Sequence, residues 1–529
     1  LSDEPRQPDT ERPTLDPETL DPSFEPAEVV LERPEAPPVV ADDGRLRTGK
    51  LAGLAMGAAI WVLGWPVLVE SFLNSFVGLT DTYLAAGLGG PETDAVGGAS
   101  YIMWFIGLVV MALGVGATAV ISRCVGKGRL AAASATLGQT LLLAVVAGVA
   151  IGVVVSFAID PVASILSMTP EAHEAFRDYL LVICVGAPFM SLMFCGIACA
   201  RGAGDSLSPL IAMIVRNVVN VGISFALAGV DIKRGGHTIL ASPFDLGVVG
   251  IAIGTVASDL VGASIIVAMA VGGRWSIRLK PRWLRPRRVT AWRVIRVGVP
   301  NFLETAGMWL GNFLTMLMVG GIGAGVGGTL GAHIIAIRIE AFSFLPGFAM
   351  GTAAATLAGQ YLGAGRPDLA RRAVVRCALI AALVMGTLGA AFVAYPREIV
   401  GLLSDQPEHL AVAPHLVRIC GFVQFPFGLA IVTRAALRGA GDVRVVMMLT
   451  WMSTWLVRVP AAFILSGADI TFTTTAPDGV QTLHTLLANP FGFAPSLPML
   501  WVALCGELVL RSVIFGARFA QGAWTRVKV

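Results

Sequence analysis

Twelve stretches of about 20 apolar residues, the length a helix needs to cross a bilayer, punctuate the chain. They fall near 58–86, 98–121, 133–158, 178–199, 208–229, 247–271, 294–321, 328–356, 373–395, 411–433, 445–466 and 498–519. The runs are continuously apolar and rich in Gly and Ala, whereas a lipid-facing barrel would alternate apolar and polar positions over about ten residues. The pattern therefore predicts an all-α membrane protein of twelve transmembrane helices, six on either side of a basic linker. A mean hydropathy of +0.75, with 55% hydrophobic and 14% charged residues, excludes a soluble globular protein, in which roughly a quarter of residues are charged.

Inside this pattern one unit occurs twice. Arg201-Gly202-Ala203-Gly204-Asp205 returns letter for letter as Arg438-Gly439-Ala440-Gly441-Asp442, an offset of 237 residues (201 to 438). Gly126-Lys127-Gly128-Arg129 answers to Gly363-Ala364-Gly365-Arg366 at the same offset, and Pro66 with Glu70 recurs as Pro300 with Glu304 at 234 (66 to 300). Duplicated apolar chains are the usual build of secondary transporters, with the substrate site where the halves meet.

The expected organisation is a tail over 1–48, a first lobe over 51–272, a basic linker over 273–293, a second lobe over 294–521 and a short tail over 522–529. Residues 1–48 are Pro-rich and acidic, too poor in apolar surface to offset ordering entropy, so the expectation is disorder. They lack the basic-then-apolar layout of a cleavable signal. Seven cysteines sit in or beside apolar spans without CxxC spacing or a nearby His, which reads as small core residues and not as a zinc site or disulfide framework.

Lys and Arg mark the side on which loops remain. Every even-numbered span exits into a basic segment, including Arg123, Lys127 and Arg129, then Arg274 through Arg296, then Arg366, Arg371 and Arg372. Odd exits carry Glu92, Asp94, Asp160, Glu171 and Asp231 with few positives. Both termini are expected in the cytoplasm of a cell-membrane protein. Six spans per half give both halves the same sense, so the two lobes should be related by a pseudo-twofold axis along the membrane normal.

Ionisable groups at bilayer depth are costly and usually face a cavity or a partner. Glu70, Asn74 and Asp81 fall within about 40° of one another on the first span, and Asn217, Asn220 and Ser224 within about 60° on the fifth. Facing each other, these stripes would line a polar pocket. A carboxylate there can take a proton or hold Na⁺ through hard oxygen ligands, and it can exchange either for a cationic substrate. In the second half Glu304 and Thr315 occupy the places of Glu70 and Asp81 at the 234 offset. Arg338, Glu340, Asp259, Arg458 and the pair Glu507/Arg511 complete this reading of the intramembrane charges, the last pair having the i,i+4 spacing of a structural ion pair.

Gly331-Ala332-His333-Ile334-Ile335-Ala336-Ile337-Arg338-Ile339-Glu340, continuing through Phe344-Leu345-Pro346-Gly347-Phe348 to Gly359-Gln360-Tyr361-Leu362-Gly363, resembles the eighth-helix signature of multidrug and toxic compound extrusion transporters. Asp81-Thr82 after Pro66 and the two Arg-Gly-Ala-Gly-Asp turns are similar to the same family, over about residues 51–460. The resemblance implies alternating access and export of organic, mostly cationic compounds against entry of H⁺ or Na⁺, with no other cofactor. It places ion coupling on Asp81, Asn217 and Asn220, which are also the candidate Na⁺ ligands; the polar stripe of the first span adds Glu70 beside them. Substrate contacts are expected from Asn74, Ser224, Glu304 and Met308. Two positions depart from the pattern: Ser224 stands where some members have a second aspartate, and Met308 where others have a glutamate. Expected partners are small organic substrates and membrane lipids, without nucleic acid, around a monomer.

Two other functions compete. Gly-x-Gly-Asp occurs twice and fits intramembrane aspartyl proteases, but each copy follows an Arg at an expected turn. A flippase for lipid-linked saccharides would need a cationic cavity, whereas this reading finds Glu70, Asp81 and Glu304 against Arg338 and Arg458.

Overall fold

The structure is a computed structural model that describes residues 40–41, 43–166, 168–234, 237–323, 328–475 and 481–527. Most of the tail expected over 1–48 thus lies outside the described residues. Twelve described helices are long and apolar enough to span a membrane. In the first lobe they are α1 (Met56–Leu88), α2 (Gly90–Gly126), α3 (Leu130–Ile165), α4 (Pro170–Gly202), α5 (Leu207–Ala228) and α6 (Gly247–Val271). In the second they are α7 (Arg288–Gly323), α8 (Thr329–Gly363), α9 (Pro367–Ala394), α10 (Pro407–Gly439), α11 (Val443–Ser466) and α12 (Leu497–Gln521). Each expected span lies on one of these helices, to within a residue at its ends. Phe157 at 81% exposure and Val185 at 72% would be liabilities in water; on a membrane protein such side chains face lipid.

The ends of the helices are built from local rules. Thr169 caps α4 by accepting from the Ala172 amide at 3.3 Å, and Pro170, Pro367 and Pro407 open their helices, where a missing N–H costs nothing. The duplicated turns need glycine in the left-handed region at matching places: φ is +94° at Gly204 and +90° at Gly441. Asp205 then caps α5, accepting from the amides of Leu207 and Ser208 at 3.0 Å each, while Asp442 pairs with Arg518 at 2.9 Å. α11 contains a π-helical stretch, Met452–Arg458, of the kind that often marks functional sites.

Three features differ from the sequence expectation. Antiparallel ribbons, β1 (Ile232–Arg234) with β2 (His237–Leu240) and β3 (Ile470–Thr475) with β4 (Gln481–Leu487), join α5 to α6 and α11 to α12. They occupy the same loop in each half. The basic linker gives way to α7 already at Arg288, and it is docked: Trp275 and Ile277 are buried in the first lobe, and Gln139 of α3 donates to the carbonyls of Trp283 and Arg285 at 2.8 Å. The described residues before α1 and after α12 are docked as well. Trp524 stacks on Phe519 at 5.2 Å, and Val40, Leu46 and Leu51 are buried among α8, α9, α10 and α12, so the described part of 40–48 is a packed strap.

The lobes are closed on each other at the end that carries the basic loops. Gly126 and Gly363 bring backbones together there, since a Cβ on Gly126 would overlap the Gln360 main chain and one on Gly363 that of Arg123. Arg123 donates to the Ala440 carbonyl at 2.9 Å, Thr356 to that of Arg201 at 3.1 Å and Gln360 to that of Gly202 at 3.2 Å. Farther along the seam, Trp104 of α2 meets Trp309 of α7 edge-on at 4.0 Å. The strap lies across this closure: Thr48 donates to the Val125 carbonyl at 3.0 Å and Lys50 approaches Asp205 at 3.8 Å, both in the first lobe, while the Tyr361 hydroxyl of the second lobe donates to the Gly44 carbonyl at 3.4 Å.

Candidate functional site

Antiparallel α5 and α6 form a ladder of polar rungs one helical turn apart. Ser224 donates to the Ile251 carbonyl at 3.4 Å, Asn220 to the Thr255 hydroxyl at 3.1 Å, and Arg216 is ion-paired with Asp259 at 2.5 Å. Asp81 of α1 meets the middle rung, its Oδ2 accepting from Thr255 at 3.1 Å and from the Tyr179 hydroxyl of α4 at 3.4 Å. Four helices thus converge on one buried carboxylate, to which no guanidinium among the described residues is bonded. Its Oδ1 has no hydrogen-bond partner, nor do the Oδ1 atoms of Asn217 and Asn220. Buried polar atoms are normally satisfied. The unpartnered Asp81 oxygen beside the Asn220–Thr255 rung, with the unpartnered Asn217 oxygen on the adjoining turn of α5, is chemically suited to a proton or a hard cation.

The expected site residues divide between this cluster and other places. Asn220 and Ser224 join Asp81, with Asn220 also donating to Ser224 at 3.4 Å. Asn217 donates to the Met213 carbonyl at 2.9 Å and keeps its oxygen unpartnered. Glu70 does not share the pocket, which corrects the expectation that it lies beside Asp81. It is eleven residues away along α1, roughly 16 Å at 1.5 Å per residue, and is ion-paired with Arg201 at 2.6 Å. Asn74 is exposed.

In the second lobe Glu304 is fully buried and saturated. Arg434 bonds Oε1 at 2.7 Å, Arg438 reaches Oε2 at 2.8 Å and Thr450 donates to Oε1 at 2.7 Å. Met308 offers its sulfur to Arg511 at 3.4 Å, and Arg511 is paired with Glu507 at 2.6 Å and bonded to Thr454 of the π-helical stretch. The arginine count underlying the flippase comparison is therefore too low: Arg434, Arg438 and Arg511 also lie in this lobe, each bonded to a carboxylate. Glu70–Arg201 and Glu304–Arg438 are one contact made twice, since both partners repeat in sequence.

Tyr179, Thr255 and the two arginines Arg216 and Arg434 are site residues that the sequence reading passed over. Hydroxyls are too common in apolar spans to stand out. Arg216 was findable, because it lies one turn before Asn220 on the same stripe.

A model of the MatE family matches residues 66–226 and 300–464, two blocks that begin at the duplicated prolines. The chain belongs to this family of MATE transporters. A probable multidrug resistance protein NorM from Thermotoga maritima is 25% identical over 473 residues, covering 88% of this chain and 92% of that protein. The multidrug resistance protein PmpM of Pseudomonas aeruginosa is 25% identical over 421 residues, covering 79% of this chain and 86% of its own. Among solved structures, a MOP superfamily transporter from Pyrococcus furiosus superposes with a TM-score of 0.76 at 20% identity, covering 89% of this chain and 97% of that one. A multidrug resistance MATE family transporter in an outward-facing conformation gives 0.75, also at 20% identity, covering 88% and 97%. As a MATE transporter the chain is an integral membrane protein and not an enzyme. The aspartates of its Gly-x-Gly-Asp turns are engaged as a helix cap and an ion pair.

Proposed function

We propose that this MATE transporter exports amphipathic, mostly cationic organic compounds by alternating access, coupled to entry of H⁺ or Na⁺ at Asp81. The observation that carries the reading is the unsatisfied Asp81 carboxylate oxygen, buried beside the Asn220–Thr255 rung. A negative charge held in an apolar interior without a bonded cation favours an occupant, and coupling ion and organic cation exclude each other there. The names of the NorM and PmpM relatives support drug efflux as the transport direction. Charge placement supports a cytoplasmic basic end, so the state described is closed toward the cytoplasm. Inward flow of one monovalent cation supplies about 2.3 kcal/mol per 100 mV of membrane potential.

Coupling rests on the first lobe alone. Glu304 has both oxygens engaged by Arg434, Arg438 and Thr450, which leaves no coordination for a mobile ion. The test is drug-dependent release of H⁺ or Na⁺ from proteoliposomes, wild type against Asp81→Asn. Loss of coupled release in the variant is expected; coupled transport at the wild-type rate would remove Asp81 from the mechanism.

A further inference from the structure

Resting on Asp81 as the coupling site, we infer that the Arg216–Asp259 pair positions charge beside it and sets how tightly the coupling ion is held. Together these three residues carry a net charge of −1, which one monovalent cation cancels. Arg216 and Asp259 form the rung one turn, about 5.4 Å of axial rise, from the Asn220–Thr255 rung that bonds Asp81. All three are more than nine-tenths buried, beyond the reach of salt screening.

The surroundings isolate this charge set. Besides Asp259, the Arg216 guanidinium meets soft neighbours, the Met213 sulfur at 4.0 Å and the Phe194 ring at 5.9 Å. The far side of Asp259 borders a cavity of about 10 Å³ lined by apolar groups of α2, α4 and α6, among them Met103, Ile106, Ile183 and Val256. That space is at the lower limit for one water and brings no countercharge. Tyr179 of α4 is the remaining titratable group in contact with Asp81.

The duplication provides an internal control. The Glu–Arg pair of the fold occurs in both lobes, as Glu70–Arg201 and Glu304–Arg438. Asp81 does not, its counterpart being Thr315, and Arg216 does not, its counterpart at the 237 offset being Ser453 (216 to 453). The Arg216–Asp259 rung is thus not repeated residue for residue; at the corresponding seam the second lobe places a different pair, Glu507–Arg511 within α12, against Thr454 of α11. Buried ion pairs are in any case weak stabilisers compared with apolar packing.

Charge counting gives opposite signs for the two partners. Neutralising Arg216 leaves two carboxylates in the cluster and strengthens cation binding. Neutralising Asp259 frees the guanidinium, makes it a built-in counter-ion for Asp81 and weakens binding. Removing both restores the net charge of −1.

The experiment titrates purified full-length protein with Na⁺ and with protons, following intrinsic tryptophan fluorescence, and measures tetraphenylphosphonium efflux from proteoliposomes. Arg216→Gln is expected to raise cation affinity about tenfold, the effect of one unit in a titration, and Asp259→Asn to lower it by a similar factor. The double variant should lie within about threefold of wild type, and Arg216→Lys likewise, since a coupling energy that has been cancelled leaves no shift. Shifts of the same sign in the two single variants would overturn the inference, as would lost affinity in a folded double variant. The double variant alone decides if a single one does not fold. Asp81→Asn in the same titration separates the two claims: unchanged cation binding there removes the coupling site itself, whereas abolished binding combined with same-sign shifts removes only the role of the pair.

Discussion

Three acidic residues on equivalent helices have three different electrostatic fates. Glu70 faces one guanidinium, Glu304 faces two and Asp81 is bonded by hydroxyls alone. Removing one member of a buried pair strands the other, at a cost of about 3–5 kcal/mol. Glu304→Gln strands two arginines at once. It is therefore expected to lower the melting temperature of the purified protein more than Glu70→Gln does, while the cation binding proposed at Asp81 persists. Equal melting temperatures would show that Arg434 and Arg438 find water or another anion. The sequence revealed these acids but not their fates, because Glu304 and its arginines are more than 120 residues apart along the chain. Asp81 stood out because one helix face concentrated polar groups within an apolar run. Its donors Tyr179 and Thr255 did not, as each is a lone hydroxyl on a different helix.

At the scale of elements, the helices were legible because membrane spans need sustained apolar runs, and their pairing into lobes was legible because the halves repeat. The ribbons β1–β2 and β3–β4 were not, since short loop strands leave no comparable run of side chains. Nor were the seams, where the signal is glycine in a chain with 61 of them. At Gly126 and Gly363 the missing side chain is what allows α2 and α8 to close the basic end. Gly126→Ala cannot be accommodated there without separating backbones. It is expected to shift the protein toward the state open at that end, seen as a longer distance between spin labels at Lys127 and Arg371. An unchanged distance distribution would mean that the seam relaxes without opening.

For the whole molecule, the strap ties the two lobes together unequally. Its hold on the second lobe is the burial of Val40, Leu46 and Leu51; its polar holds on the first are one hydrogen bond from Thr48 and a half-exposed ion pair from Lys50, with Leu51 also abutting Gly204. Leu46→Ala should destabilise the fold by about 2–5 kcal/mol, as large-to-small core changes do. Thr48→Val with Lys50→Ala should cost no more than about 2 kcal/mol, the sum of a typical hydrogen bond and a surface pair. Thermal unfolding of both variants checks this ranking, and the reverse order would place the main anchor on the first lobe. When the basic end opens, the strap should therefore travel with the second lobe.

Val40, Leu46 and Leu51 share one apolar cluster with Phe515, Phe519 and Trp524. Residues made before the first span are thus seated against residues made with and after the twelfth. During synthesis the first helix can insert, yet the surface that receives the residues before it is not complete until the twelfth has followed. Maturation of this transporter is accordingly a ring closure, and a nascent chain arrested before Trp524 would hold both of its lobes without the stitch between the strap and the residues that follow α12.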